Sequence, residues 1–308
     1  MKAQDLRPRV GDLRQWASVR RIALDDGAER GVRALAFSTG GGLDLWVLAD
    51  RTLDIGPLWW KGMPVAWQSP AGFRSPALHD AEGDGGRGFG RLFSGFLVTG
   101  GLDHIRQPAH GQPLHGRLPF SPARVTGYGE DWQRGMLFCE GEVTQARHGG
   151  EALRLKRRIE APIGGTSLTI LDTVENLGPR PWPQASLYHF NLGYPALADG
   201  TVVETGGETL LGPLKAPDAA MASESTCRPS DGGCIVTTPG NLAVCFAWSA
   251  ETLPYLQLWH DLAPGVCVLS IEPCTSDKRE GGFSGGEAVL EPGETREYRI
   301  EISIEGLE

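Results

Sequence analysis

Along most of the chain, apolar side chains recur at every second position, and the three-to-four-residue spacing of an amphipathic helix is almost absent. In LDLWVLAD, Leu43, Leu45, Val47 and Ala49 share one face. The preceding STGGG at 38–42 supplies the turn of a hairpin whose first strand is RALAF. In REYRIEISIE, Tyr298, Ile300, Ile302 and Ile304 alternate with polar residues, the pattern of a half-buried strand entered through the PGE turn at 292–294. Further strands are predicted over 134–147, 152–160, 166–176, 234–239, 241–249, 254–261 and 265–273, joined by Gly/Pro turns. Such a series predicts an all-β chain, a large and mostly antiparallel sandwich with few short helices. Segment 70–92 is too rich in Gly and charge for a core and reads as a long surface loop, a kind of segment that is often functional when ordered. Its GDGGRGFG at 83–90 lacks the Lys-Ser/Thr of a phosphate loop, so it reads as flexible or substrate-covering. No repeat or composition break divides the chain, and residues 1–308 read as one domain with an N-terminal extension over 1–18.

Composition narrows the function classes. The 308 residues include 43 Gly and 22 Pro, which favours many turns over long helices. With 29 Lys+Arg against 38 Asp+Glu the net charge is −9, and no dense basic stripe is present to neutralise phosphates, so nucleic acid is not an expected partner. No apolar run is long enough to cross a membrane or serve as a signal peptide, and the protein reads as soluble and cytoplasmic. The six cysteines lack zinc-site spacing and fall partly in apolar strands, which predicts free, mostly buried thiols.

Four clusters could carry chemistry. Asp50-Arg51-Thr52-Leu53-Asp54 closes the second strand of the opening hairpin and by itself reads as a solvated turn with a surface ion pair. Residues 99–120 gather Asp103, His104, Arg106, His110, His115 and Arg117 in one loop-like stretch. The spacing of its histidines fits neither a helical i,i+4 pair nor a strand i,i+2 pair, so no metal is expected. Histidine and arginine donors suit a sugar or a carboxylate better. In QASLYHFNLGYP, His189 and Asn191 share one strand face and Phe190 takes the other, where a lone histidine is commonly a satisfied core residue. Glu272 ends GVCVLSIE on the same face as Val266, Val268 and Ser270, and a carboxylate on an apolar face asks for a partner or a purpose. A buried glutamate with a raised pKa is a good general base near neutral pH. No nucleophile elbow, P-loop, dinucleotide fingerprint or H-E-x-x-H is present.

Together these segments resemble the aldose 1-epimerase (galactose mutarotase-like) superfamily, most closely its DUF4432-type branch, from about residue 30 to the end. The most specific pieces are ADRTLDIG at 49–56, FLVTGGLDH at 96–104, PLHGRLPF at 113–120, YHFNLGYP at 188–195, and IEPCT at 271–275 followed by LEPGETREY. The resemblance implies a β-supersandwich whose concave face holds a sugar, and an isomerase that interconverts the α and β anomers of a free monosaccharide or derivative without a cofactor. Carried over by motif, His189 would be the general acid, Glu272 the general base and His115 the sugar-binding histidine. Arg51 and Arg117 compete for the arginine that bonds hydroxyls, and Asp103, His104 and Asn191 are further binding candidates. Gln257 and His260, on opposite faces of the strand before Glu272, offer one more contact. The chain departs from the better-known mutarotases in lacking a hydroxyl-gripping Asp-His-x-Phe-type segment between 195 and 255, which points to a different hydroxyl pattern or an acidic sugar. Two other readings stay open: an isomerase or epimerase acting at a carbon beside the carbonyl, and a carbohydrate-binding protein without catalysis. The expected partners are a small carbohydrate and, at most, a second copy of the chain.

Overall fold

The computed structural model describes residues 2–220, 223–285 and 288–307. Strands dominate, and the α-helices among the described residues are two four-residue turns, Ala3–Leu6 and Gly83–Gly86. Ser18–Ala23, Arg33–Ser38, Leu43–Leu48, Asp54–Trp60 and Met63–Pro64 follow one another in an antiparallel five-stranded meander. The opening hairpin sits where the alternation puts it: Leu43, Leu45, Val47 and Ala49 are buried, and Leu35 faces Val47 across the ladder.

A nine-stranded antiparallel sheet runs, edge to edge, through Glu208–Leu211, Val202–Thr205, Gly233–Thr238, Leu242–Trp248, Thr295–Gly306, Ser167–Asn176, Ala152–Pro162, Met136–Ala146 and Arg124–Asp131. Its inner positions are buried one in two, as in Tyr298, Ile300, Ile302 and Ile304, so one face meets the core and the other meets water. The third sheet orders Glu224–Pro229, Tyr255–Asp261, Val268–Cys274, Trp182–Leu192 and Ala288–Leu290, with Leu97–Leu102 also pairing to Trp182–Leu192. Residues 184–192 are buried without alternation because both faces of that strand are covered, one by the shared core and the other by loops.

One buried ion cluster ties the sheets together. Arg157 bonds Asp172 on the neighbouring strand through Nε at 2.9 Å and Nη2 at 2.7 Å, Asp54 of the meander through Nη1 at 2.8 Å, and Thr99 of the third sheet at 3.0 Å. The Tyr188 hydroxyl adds a bond to Asp172 at 2.8 Å. Burial opposes the arginine's charge, but Asp172 and Asp54 more than restore it and raise its pKa.

The structure corrects two local expectations. Residues 51–54 are not a solvated turn: only Asp50 keeps a partly exposed partner, Arg33, while Arg51, Thr52, Leu53 and Asp54 are almost wholly enclosed. The Arg51 guanidinium donates to the Leu92 and Ser94 carbonyls at 2.6 and 3.3 Å. The strand expected over 265–273 begins at Val268, because Cys267 takes a left-handed φ of +46°, which leaves Val266 37% exposed rather than on the face of Glu272. All six cysteines are free, with Cys139, Cys234 and Cys274 buried and the other three half-buried.

Candidate functional site

The covered face of the third sheet carries a cavity of about 300 Å³, lined by His189, Gln257, Trp259 and Glu272 from three adjacent strands. Pairing of Gln257 with Glu272 across the ladder fixes two of these side by side. Glu224 and Ser225 of the edge strand Glu224–Pro229 add to the wall, and the rest comes from Phe89 of the long excursion, Phe93 just after it, Arg106, Gln107, Leu114 and His115 of the histidine-rich stretch, and Lys278 of the short hairpin that follows Val268–Cys274.

His189 and Glu272 touch directly, Nε2 to Oε1 at 3.4 Å, with no gap between them. On its other side His189 Nδ1 lies 2.6 Å from Asn191 Oδ1. Both amide protons of Asn191 are spent on the Gly95 and His189 carbonyls, and its Oδ1 also accepts from Ser270 at 2.7 Å. Asn191 Oδ1 can therefore only accept, so Nδ1 carries the proton and Nε2 presents its lone pair to Glu272. Burial holds His189 down to about 3 against the opposing pull of the Asn191 bond. The rings of Phe93 at 4.8 Å, His115 at 5.7 Å and Trp259 at 5.8 Å surround it and leave it 4% exposed.

Glu272 is fully enclosed; Gln257 donates to its Oε2, while Oε1 has no hydrogen-bond partner. Burial pushes it up to about 8, with Arg106 and Lys278 pulling the other way. At neutral pH the pair thus holds one proton, on the glutamic acid, facing an unprotonated imidazole nitrogen. That arrangement is a donor and an acceptor in contact, the equipment for moving two protons at once.

His115 is held differently. Its Nδ1 accepts the Arg106 backbone N–H at 3.3 Å, which leaves Nε2–H as the donor. Burial and the nearby His189 and Arg106 depress its pKa well below the ordinary value, so it is neutral. Both His115 and Arg106 adopt left-handed φ, +58° and +77°, a strained backbone of the kind that collects at functional sites. Gly116 makes the turn possible, since a Cβ there would lie 2.3 Å from the Gly101 carbonyl oxygen.

Of the sequence-derived candidates, His189, Glu272, His115 and Gln257 line one cavity, and Asn191 stands directly behind His189. The others lie elsewhere. Arg51 points to the 92–94 carbonyls. Arg117 pairs with Glu82 and Gln112 beside a separate open cleft of about 850 Å³. Asp103 accepts from Gln145 at 2.7 Å and Gln112 at 3.0 Å, pinning its loop to the nine-stranded sheet. His104 Nε2 is 2.9 Å from the Gln107 carbonyl. His260 is buried on the strand face opposite to Gln257, and His110 is exposed. No group of three metal-ligating side chains occurs among the described residues. Arg106, Lys278, Phe89, Phe93 and Trp259 were not singled out from the sequence as site residues. Arg106 left a trace there as a member of the histidine-rich cluster, and Phe89 lies in the 83–90 stretch read as flexible or substrate-covering.

A family model described as Domain of unknown function (DUF4432) matches residues 29–232. No curated protein matches the chain. Among solved structures, a provisionally named aldose 1-epimerase from Klebsiella pneumoniae superposes with a TM-score of 0.85 at 19% identity, covering 99% of this chain and 86% of the other. A galactose mutarotase-like protein from Clostridium acetobutylicum gives 0.68 at 15% identity over 94% and 98%, and galactose 1-epimerase from Lactobacillus acidophilus gives 0.58 at 11% over 94% and 99%. At these identities the likeness carries the fold, which is galactose mutarotase-like and mostly antiparallel, as the sequence resemblance implied. No helix among the described residues is long and apolar enough to cross a membrane.

Proposed function

The chain belongs to the DUF4432 family on a galactose mutarotase-like fold, and from that premise we propose that it is an aldose 1-epimerase-type isomerase acting on a free monosaccharide or sugar derivative. The observation that carries this reading is the close approach of one proton donor and one proton acceptor, Glu272 and His189, in a cavity of monosaccharide size. Ring opening of a cyclic sugar needs a proton delivered to the ring oxygen while another leaves the anomeric hydroxyl. Reclosure on the opposite face of the carbonyl reverses both transfers and returns the pair to its starting state, so no cofactor is consumed.

The protonation state of the free protein starts the cycle with Glu272 as donor and His189 Nε2 as acceptor. Moving that one proton across the 3.4 Å contact gives the opposite assignment, imidazolium and carboxylate. Either way the pair works while it holds a single proton, and a sugar placed between the two groups must part their contact. His115 Nε2–H supplies a neutral donor for a hydroxyl, and Trp259 with Phe93 offers apolar faces to the ring.

The test is magnetisation exchange between α and β anomeric protons over a panel of aldoses, ketoses, deoxysugars and uronic acids. Accelerated exchange with one sugar is expected, and His189→Asn should lower it by about two to four orders of magnitude. The rate should hold level through pH 6.5 and fall near pH 8 as Glu272 loses its proton. New carbon-bound deuterium or new product signals in place of anomer exchange would transfer the site to the isomerase or epimerase reading, and binding with neither would leave a carbohydrate-binding protein.

A further inference from the structure

Arg106 is 3% exposed, lines the cavity, and has no carboxylate within ion-pair distance among the described residues. Its Nη2 is occupied by the Ser276 carbonyl at 2.6 Å and by the Cys274 and Cys227 sulfurs at 3.2 and 3.4 Å. Its Nε and Nη1 are shielded from water and have no hydrogen-bond partner among the described residues. A buried guanidinium with two idle nitrogens is costly unless an anion or strong acceptor completes it.

Lys278 lines the same cavity, with one ammonium proton given to the Ser225 carbonyl at 2.7 Å and no other hydrogen bond from its ammonium among the described residues. Among the described residues it too has no acidic partner within ion-pair distance. Of the acidic groups, the Cys227 thiol lies 3.4 Å from Arg106 Nη2 and is drawn down to about 7, by its bond with Cys274 first and then by Arg106, while no carboxylate among the described residues pairs with either cation. Glu272 is protonated at neutral pH, and Glu224, which also lines the cavity, has its side chain 65% exposed and lies 4.0 Å from His260. His189 and His115 are neutral. Arg106 and Lys278 therefore stand beside the proton-transfer pair with no carboxylate partner among the described residues.

We propose that Arg106 and Lys278 form a subsite for an anionic oxyacid group, so that the substrate is an acidic sugar derivative, a sugar carboxylate or sugar phosphate, rather than a neutral aldose. Arg106 offers such a group the N–H of Nε and of Nη1, on either side of the committed Nη2, and Lys278, which lines the same cavity, adds a second charge. The sugar itself rests on the anomerase reading, whereas the anion subsite rests on the two cations alone.

The experiment measures binding by titration calorimetry and anomer exchange by NMR as separate readouts on the full chain. The probes are glucose, galactose and mannose, their uronic acids, and glucose 6-phosphate. At least one acid should bind about 10- to 100-fold more tightly than its neutral parent, the range of a charge-assisted hydrogen bond in a buried site. Preference for a uronate identifies the carboxylate source and preference for the phosphate ester the other. Arg106→Gln should remove most of that preference. Lys278→Gln, on a more exposed side chain, should reduce it in a variant that folds even if Arg106→Gln does not. Equal or weaker binding of every acid overturns the subsite, as does a preference that survives both substitutions. Fast exchange of neutral sugars with no acid preference would sink the subsite and keep the anomerase reading. Arg106-dependent acid binding without exchange would do the reverse.

Discussion

Replacing Glu272 by Gln should make the protein inactive and more stable, with the gain growing as the pH rises. The folded state holds the Glu272 proton up to about pH 8, whereas an unfolded glutamic acid loses it near the ordinary value of 4.5. Between those limits the native state binds more protons than the unfolded chain, so stability falls as the pH rises and is lowest above the folded value. At about 1.4 kcal/mol per pH unit, this carboxyl costs the wild type about 3 kcal/mol at pH 7 and about 5 kcal/mol above pH 8. Glutamine keeps the shape, leaves no cavity, and has no proton to lose. Urea unfolding of both proteins from pH 4 to 9 should give curves that coincide near pH 4 and separate by those amounts as the pH rises, with turnover by the variant lost throughout. Parallel curves across the whole range would refute the burial argument. Curves that diverge while the variant keeps full turnover would make Glu272 a structural acid and remove it from the chemistry.

Arg157→Met leaves Asp54 and Asp172 buried without their cation and should cost about 3–5 kcal/mol, read as a lower urea midpoint; a loss under about 1 kcal/mol would show that the cluster relaxes. Asn191→Ala frees the His189 Nδ1–H and should lower kcat by about 10- to 100-fold with little change in KM. The imidazole ¹⁵N shifts should then lose the Nδ1–H tautomer, which a merely structural role for Asn191 would leave in place.

Much of this was legible in the chain. Strand alternation is a local property, so Leu43, Leu45 and Val47, or Tyr298 through Ile304, announce both the strand and its buried face. Local phase also puts His189 and Asn191 together, and family motifs pick out His189, Glu272 and His115, which line one cavity. Burial of a charge is not local. Arg51 and Asp54 read as a surface turn because nothing in five consecutive residues records that Ser121, Thr99 and Arg157, up to 103 positions away, close over them. Arg117 looks as suitable an arginine as Arg106, and only the path of the 103–117 loop sends one to an open cleft and the other into the cavity.

The titration of the pair follows the same division. The sequence determined that a histidine and a glutamate stand on strands able to adjoin. Only the tertiary structure decided that the ring of Phe93, just past the 70–92 excursion, packs against the histidine, that Asn191 fixes which nitrogen bears the proton, and that the acid stays neutral near pH 7. The reason is that side-chain phase depends on two neighbouring residues, whereas desolvation depends on every segment that packs around a group.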